Sequence, residues 1–263
     1  ALSVMRNDFD PFVGDRTKAV DQPHRNLDPE VATYLRGKMV AQTAKLYNVG
    51  PFSPVPYHNA RITPVGTKIK DNYDPACREW RVTHDFSAGA PSSINNLYWN
   101  PQWLTVHFSV SMLMDKLACL GPGTRVTIRD VPAAFKMNSN PIATLHLHVS
   151  RIATTEHGTE YFIELANEFG NLVSEYGWQG ELAMILFVLD KRCSQHIDFF
   201  VDNSFEYHPP SSLKGQAHAE ARATGKCFDD LGIKRHQQIS ACTKFYGLGW
   251  DFDPRPTTPS CRR

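Results

Sequence analysis

Helical spacing of apolar positions and strand-like alternation take turns along most of the chain, a pattern that predicts an α+β fold. Val31, Tyr34, Leu35, Met39 and Val40 keep helical spacing behind Asp28, a good capping residue, with Pro29 in the first turn and Glu30 near the positive end of the dipole. That helix should stop before Gly50-Pro51, and residues 51–58 are proline-rich and extended. Strand character runs from Ala60 to Lys70 and again from Trp80 to Asp85. The two segments carry Lys68, Lys70 and Arg81 and flank a turn near Asp74-Pro75. Such a hairpin is either a solvated basic edge or a grip for phosphates.

A loop rich in Gly, Ser, Pro and Asn fills residues 86–101. Ser109 or Ser111 then starts a helix through Val110, Leu113, Met114, Leu117 and Leu120, closed by Gly121-Pro122-Gly123. Residues 125–130 alternate as a strand that ends on Asp130 and runs into a turn with a short helical start at 131–136. Residues 143–153 and 159–165 are two further strand candidates around His157-Gly158. Helices are expected from Ser174 to Arg192 and over 211–231, with a last strand pair from Phe245 to Phe252.

Phe199-Phe200-Val201-Asp202-Asn203-Ser204-Phe205 predicts a tight hairpin, with Asp and Asn tolerating the turn and aromatic residues flanking it. Asp202 is either a solvated turn residue or half of a divalent-cation site, and the second case needs a carboxylate from elsewhere. Asp130 is the candidate, because a sheet of mixed order with helices on one face would set both side by side.

Composition narrows the classes. The chain is 41% apolar and 21% charged with a net charge of +1, so a basic nucleic-acid surface could only be local. No apolar run reaches the length of a membrane span, and no secretory apolar segment stands at the start. The six cysteines are scattered without a C-x-x-C, which argues against a thiolate zinc site and fits reduced, intracellular thiols. His84, His107, His146, His148, His196 and His236 are expected to be structural or solvated.

The order of segments resembles the fingers and palm of a reverse transcriptase, nearest to the polymerases of DIRS-like retroelements, over residues 29–253. NARITPVG (59–66) with Lys68 and Lys70 resembles the opening fingers strand. EWRVTHDFS (79–87) with SSINN (92–96) resembles the W-R-x-x-x-D-x-S block. VTIRDVPAAF (126–135) resembles the first catalytic motif, YFIELANEFGN (161–171) the Phe-Gly loop, and FFVDNSF (199–205) the tyrosine-x-Asp-Asp hairpin. LGIKRH (231–236) and FYGLGWDFD (245–253) resemble the closing helix end and the strand pair that grips the primer.

The resemblance implies a right-hand polymerase palm and fingers: residues 1–28 a leader or linker, 29–125 the fingers with the start of the palm, 126–253 the palm, and 254–263 a disordered tail. It implies RNA-directed DNA polymerisation by two-metal nucleotidyl transfer, with magnesium or manganese as cofactor and an RNA or DNA template-primer and deoxynucleoside triphosphates as partners. Asp130 and Asp202 would be the metal ligands, with the Val131 carbonyl as a third. Lys68, Arg81, Val131, Ala134, Phe135, Phe169 and Gly170 would surround the nucleotide, and Phe135 would exclude a ribose 2′-hydroxyl unless it is a core residue. Gln179, Tyr246 and Gly247 would meet template or primer. The expected compartment is cytoplasmic or nuclear, with no membrane involved.

Three departures from the family pattern stand out. Asn203 replaces the second aspartate and offers a neutral oxygen, which implies weakened activity. Phe200 replaces the tyrosine, and Glu175 adds a negative charge near the nucleotide surface. The chain stops after the last strand pair, so a thumb is expected to be absent, as in a fragment or a decayed copy. The alternative function is an inactive reverse-transcriptase-like domain that binds nucleic acid or is a transposon relic.

Overall fold

The computed structural model describes residues 16–22, 27–69, 80–89, 92–97, 108–193, 196–248 and 250–253. In chain order they form β1 (Val20–Asp21), α1 (Pro29–Thr43), β2 (Asn48–Phe52), β3 (Arg61–Ile69), β4 (Trp80–His84), α2 (Ile94–Leu97), α3 (Val110–Leu120) and β5 (Arg125–Asp130). Two 3-10 turns follow, Ala134–Met137 and Ile142–Leu147, then β6 (Val149–Thr154), β7 (Gly158–Glu164) and α4 (Leu172–Arg192). The chain continues through β8 (His196–Phe200), β9 (Asn203–His208), α5 (Lys214–Asp230), β10 (His236–Cys242), β11 (Phe245–Gly247) and β12 (Trp250–Phe252). The class is α+β. Lys70, the turn at Asp74-Pro75 and the tail 254–263 lie outside the described residues, as does most of the stretch expected to be a leader.

The chain divides into two compact units, residues 1–104 with 135–178 and residues 105–134 with 179–263. In the first, a sheet runs β1-β3-β6-β7-β2, with β4 also paired to β3. Within the expected leader, Val20 and Asp21 pair with Arg61 and Ile62. α1 begins as its sequence dictates: the Asp28 side chain accepts from the Glu30 N–H at 2.9 Å, and Pro29 sits where a missing N–H costs nothing. Its buried Leu35 and Met39 pack with Val65, Ile152 and Phe162 of the sheet.

The second unit holds a four-stranded antiparallel sheet of order β10-β5-β9-β8 and the small β11–β12 pair. Ser109 caps α3, its side chain accepting from the Met112 N–H at 3.2 Å. Alternation along the central strands makes two different faces. Val126, Ile128, Phe205 and Tyr207 join Phe108, Leu113, Leu117, Phe245 and Phe252 in an apolar core. The other face is polar and buried: Arg129 Nη1 meets Glu206 Oε2 at 2.6 Å, Arg129 Nη2 donates to Ala221 O of α5, and the Thr224 hydroxyl donates to Glu206 Oε1 at 2.9 Å. His208, next on that face, meets Glu220 Oε2 at 3.1 Å and the Thr127 hydroxyl at 3.0 Å.

Three expectations are corrected. Residues 143–148 alternate like a strand, yet Ile142–Leu147 is a 3-10 turn started by Pro141, and the strand begins only at Val149. The hairpin turn is Val201-Asp202 and not Asp202-Asn203, since Asn203 is the first residue of β9, paired with Phe200. His236–Cys242 is a strand, where the sequence reading had only the end of a helix.

Candidate active site

β5 and β9 bring the two aspartates to one end of the four-stranded sheet. Asp130 lies directly opposite Asn203, and the Val131 N–H donates to the carbonyl of Asp202 at 2.8 Å, tying the end of β5 to the turn. Directly opposed residues of an antiparallel pair project from the same face, so Asp130 and Asn203 share one. Asp202 is their immediate neighbour in the two-residue turn. Both aspartates are half-buried.

The turn is strained. Val201 has φ 54°, a conformation that a β-branched residue rarely adopts, and a two-residue hairpin with positive φ at its first position normally takes glycine there. Such strain costs of order 1–3 kcal/mol and persists only where the surroundings impose it. Here β8, β9 and the bond from Val131 hold the turn. Ala133 repeats the pattern after β5, with φ 56° behind Pro132.

The donors supplied by the end of β5 and the turn are oxygens, the two carboxylates, the Asn203 amide oxygen and the Val131 carbonyl, which is the chemistry that magnesium and manganese prefer. Asp202 Oδ1 accepts from Asn203 Nδ2 at 2.9 Å. Among the described residues no cationic side chain is paired with Asp130. The residues present therefore fit a hard divalent cation in donor type, with one carboxylate fewer than two adjacent aspartates in the turn would give.

His236 of β10 lies opposite Asp130 on the other side, so the row across the sheet reads His236, Asp130, Asn203, Phe200. The sequence reading passed over His236 as an isolated histidine. Residues 236–242 are mostly polar without a clear alternation, so the pairing of β10 with β5 is what reveals its place.

Lys68 and Arg81 come together on the β3–β4 hairpin as directly opposed, exposed partners. Like charges so placed repel, and neither is ion-paired among the described residues. Phe135 and Phe169 also meet, ring edge on face at 4.7 Å, with Phe135 buried and Phe169 65% exposed. Gly170 has φ +92°, and a Cβ there would lie 3.0 Å from the His84 carbonyl, so only glycine fits. Asn95 clamps this loop, donating to Gly170 O at 2.9 Å and accepting from the Leu172 N–H at 3.1 Å. Val131 and Ala134 are buried, Gln179 is half-buried, and Tyr246 is 58% exposed beside Gly247, where an added Cβ would lie 3.3 Å from the Phe205 ring and 3.5 Å from Ile128.

A second polar cluster lies within the first unit. His84 Nε2 is 3.3 Å from Glu164 Oε1 and Nδ1 is 3.8 Å from Glu168 Oε2, with the His84 ring stacked on Phe86. Ser150 Oγ donates to Glu164 Oε1 at 2.8 Å, and Lys136 Nζ is ion-paired with Glu168 Oε1. Burial raises the Glu164 carboxyl, but the His84 hydrogen bond and charge, then Lys136 and Ser150, outweigh it and bring the group below the usual carboxylate range. Burial pushes the Lys136 ammonium down to about 8, partly offset by the Glu164 charge.

No protein-family model matches the chain, and no curated protein does either. Among the described residues, no helix is long and apolar enough to cross a membrane.

Proposed function

We propose that the four-stranded sheet is the palm of an RNA-directed DNA polymerase of the reverse-transcriptase type, from a retrotransposon-like element acting in the cytoplasm or nucleus. The observation that carries this reading is the register that sets Asp130 opposite Asn203, with Asp202 adjacent in the tied turn. In the reaction the primer 3′-hydroxyl oxygen bonds to the α-phosphorus of a deoxynucleoside triphosphate, its proton is lost, and the bond to pyrophosphate breaks. Asp130 and Asp202 would hold the magnesium, with the Val131 carbonyl and the Asn203 amide oxygen as neutral donors. Bound magnesium lowers the pKa of the attacking hydroxyl and offsets charge on the departing pyrophosphate. The protein's part is to keep two carboxylates fixed at the sheet end by strand pairing and a turn that cannot relax.

Extension of a primed RNA or DNA template by the purified chain, with magnesium or manganese, tests the proposal. Wild type is expected to extend weakly, Asn203→Asp more strongly, and Asp130→Ala not at all. No extension by either wild type or Asn203→Asp would sink it. A second reading, nucleic-acid binding without catalysis, is favoured by the Asn203 amide donating to Asp202, which uses part of that carboxylate's capacity to accept a metal. It predicts metal-independent binding that weakens steeply with salt and survives Asp130→Ala.

A further inference from the structure

We propose that His84, Glu164 and Glu168 form a buried binding site for one first-row divalent cation of the zinc class, separate from the aspartates of the palm. The three side chains converge from the end of β4, the end of β7 and the loop that follows it. One ligating atom from each lies within 4.8 Å of the others. They are 6%, 1% and 7% exposed. An imidazole with two carboxylates is a donor set that zinc accepts, and manganese or iron less selectively.

An orphaned atom makes this more than a cluster of acids. Glu164 Oε2 is fully buried and has no hydrogen-bond partner, although Oε1 of the same carboxylate is met by both His84 and Ser150. A buried charged oxygen without a donor is costly, and a cation at that point removes the cost. Charge points the same way. Two carboxylates face one lysine ammonium here, so one negative charge lacks a permanent counter-charge. Ser150 supports Glu164 from outside the ligand set, and the Phe86 ring, stacked on the imidazole, helps fix its plane. Lys136 on Glu168 Oε1 is the competitor. It leaves Oε2 of Glu168, the oxygen facing His84, to the metal.

The test is zinc uptake by the whole chain, stripped with chelator, dialysed against Zn²⁺ and assayed by mass spectrometry of the metal and by calorimetric titration. One zinc is expected per chain, also in an Asp130→Ala/Asp202→Ala background. Glu164→Gln and Glu168→Gln should each lose it, and Ser150→Ala should bind roughly 10–100-fold more weakly, as loss of an outer partner does. Zinc should raise the melting temperature of the wild type and of folded Ser150→Ala but not of Glu164→Gln. Should a glutamine variant fail to fold, Ser150→Ala alone decides by its weakened affinity. Absence of zinc from the stripped and reloaded wild type, or equal zinc in wild type, Glu164→Gln and Ser150→Ala, overturns the site.

Discussion

The ion pair between Arg129 and Glu206 is the most demanding feature of the second unit, because it lies between helix and sheet where a single charge has no water. Both side chains are fully buried, at 2.6 Å, and Arg129 is also bound to Ala221 O. Burial pulls the Arg129 guanidinium below its ordinary range, opposed by the charge and hydrogen bond of Glu206. Glu206→Gln leaves that guanidinium buried without its counter-charge and should cost about 3–5 kcal/mol. Replacing both groups, as Arg129→Met with Glu206→Leu, removes both desolvation costs. It leaves the Thr224 hydroxyl without its Glu206 acceptor, at roughly 1–3 kcal/mol, while the Ala221 carbonyl stays within the hydrogen-bond ladder of α5. An apolar pair of similar volume recovers about 1–4 kcal/mol over an ion pair, so the double variant should come out within about 3 kcal/mol of wild type. Urea unfolding followed by circular dichroism measures all three, and the cycle gives the coupling. The reasoning is refuted if Glu206→Gln costs under about 1 kcal/mol, or if the double variant costs the sum of the singles. The pair spans β5 and β9, so the double variant also asks whether Asp130 keeps its place without it.

Three other outcomes follow from the geometry. Burial pushes His148 from 6.5 down to about 4, so the folded state holds fewer protons than the unfolded one between those values, and stability should fall as pH drops through that window. The difference amounts to roughly 3 kcal/mol, and His148→Phe should flatten that part of the stability–pH curve. Gly170→Ala should cost about 1–3 kcal/mol in urea unfolding, because the added Cβ meets a backbone carbonyl at a positive φ. Arg81→Glu turns the repulsive cross-strand pair with Lys68 into an attractive one. It should raise stability by about 0.2–1 kcal/mol at low salt, read by urea unfolding.

Local signals were legible because their physics is local. The caps at Asp28 and Ser109, the bounds of β5 at Arg125 and Asp130, and the closing β11–β12 pair all rest on neighbouring residues. The turn at Val201 was not, since a valine with positive φ contradicts its own preference and is held there by β8, β9 and the Val131 bond. His146 and His148 alternate like strand residues, but Pro141 starts a 3-10 turn before them and β6 begins later. β10 escaped notice because its residues are mostly polar, and what makes it a strand is the free edge of β5. The partners Arg129 with Glu206, and His84 with Glu164, are remote in sequence, and no spacing rule connects them. For the candidate site, Asp130 and Asp202 could be named from the sequence, while their register and the neighbour His236 needed the sheet.

The most direct measurement is an anomalous difference map from crystals of the chain soaked in manganese. The account predicts a peak bonded to both Asp130 and Asp202, at about 2.2 Å from each, as expected for manganese on oxygen. A map with no peak there, or carboxylates more than about 8 Å apart, too far for a metal pair to bridge, would contradict it.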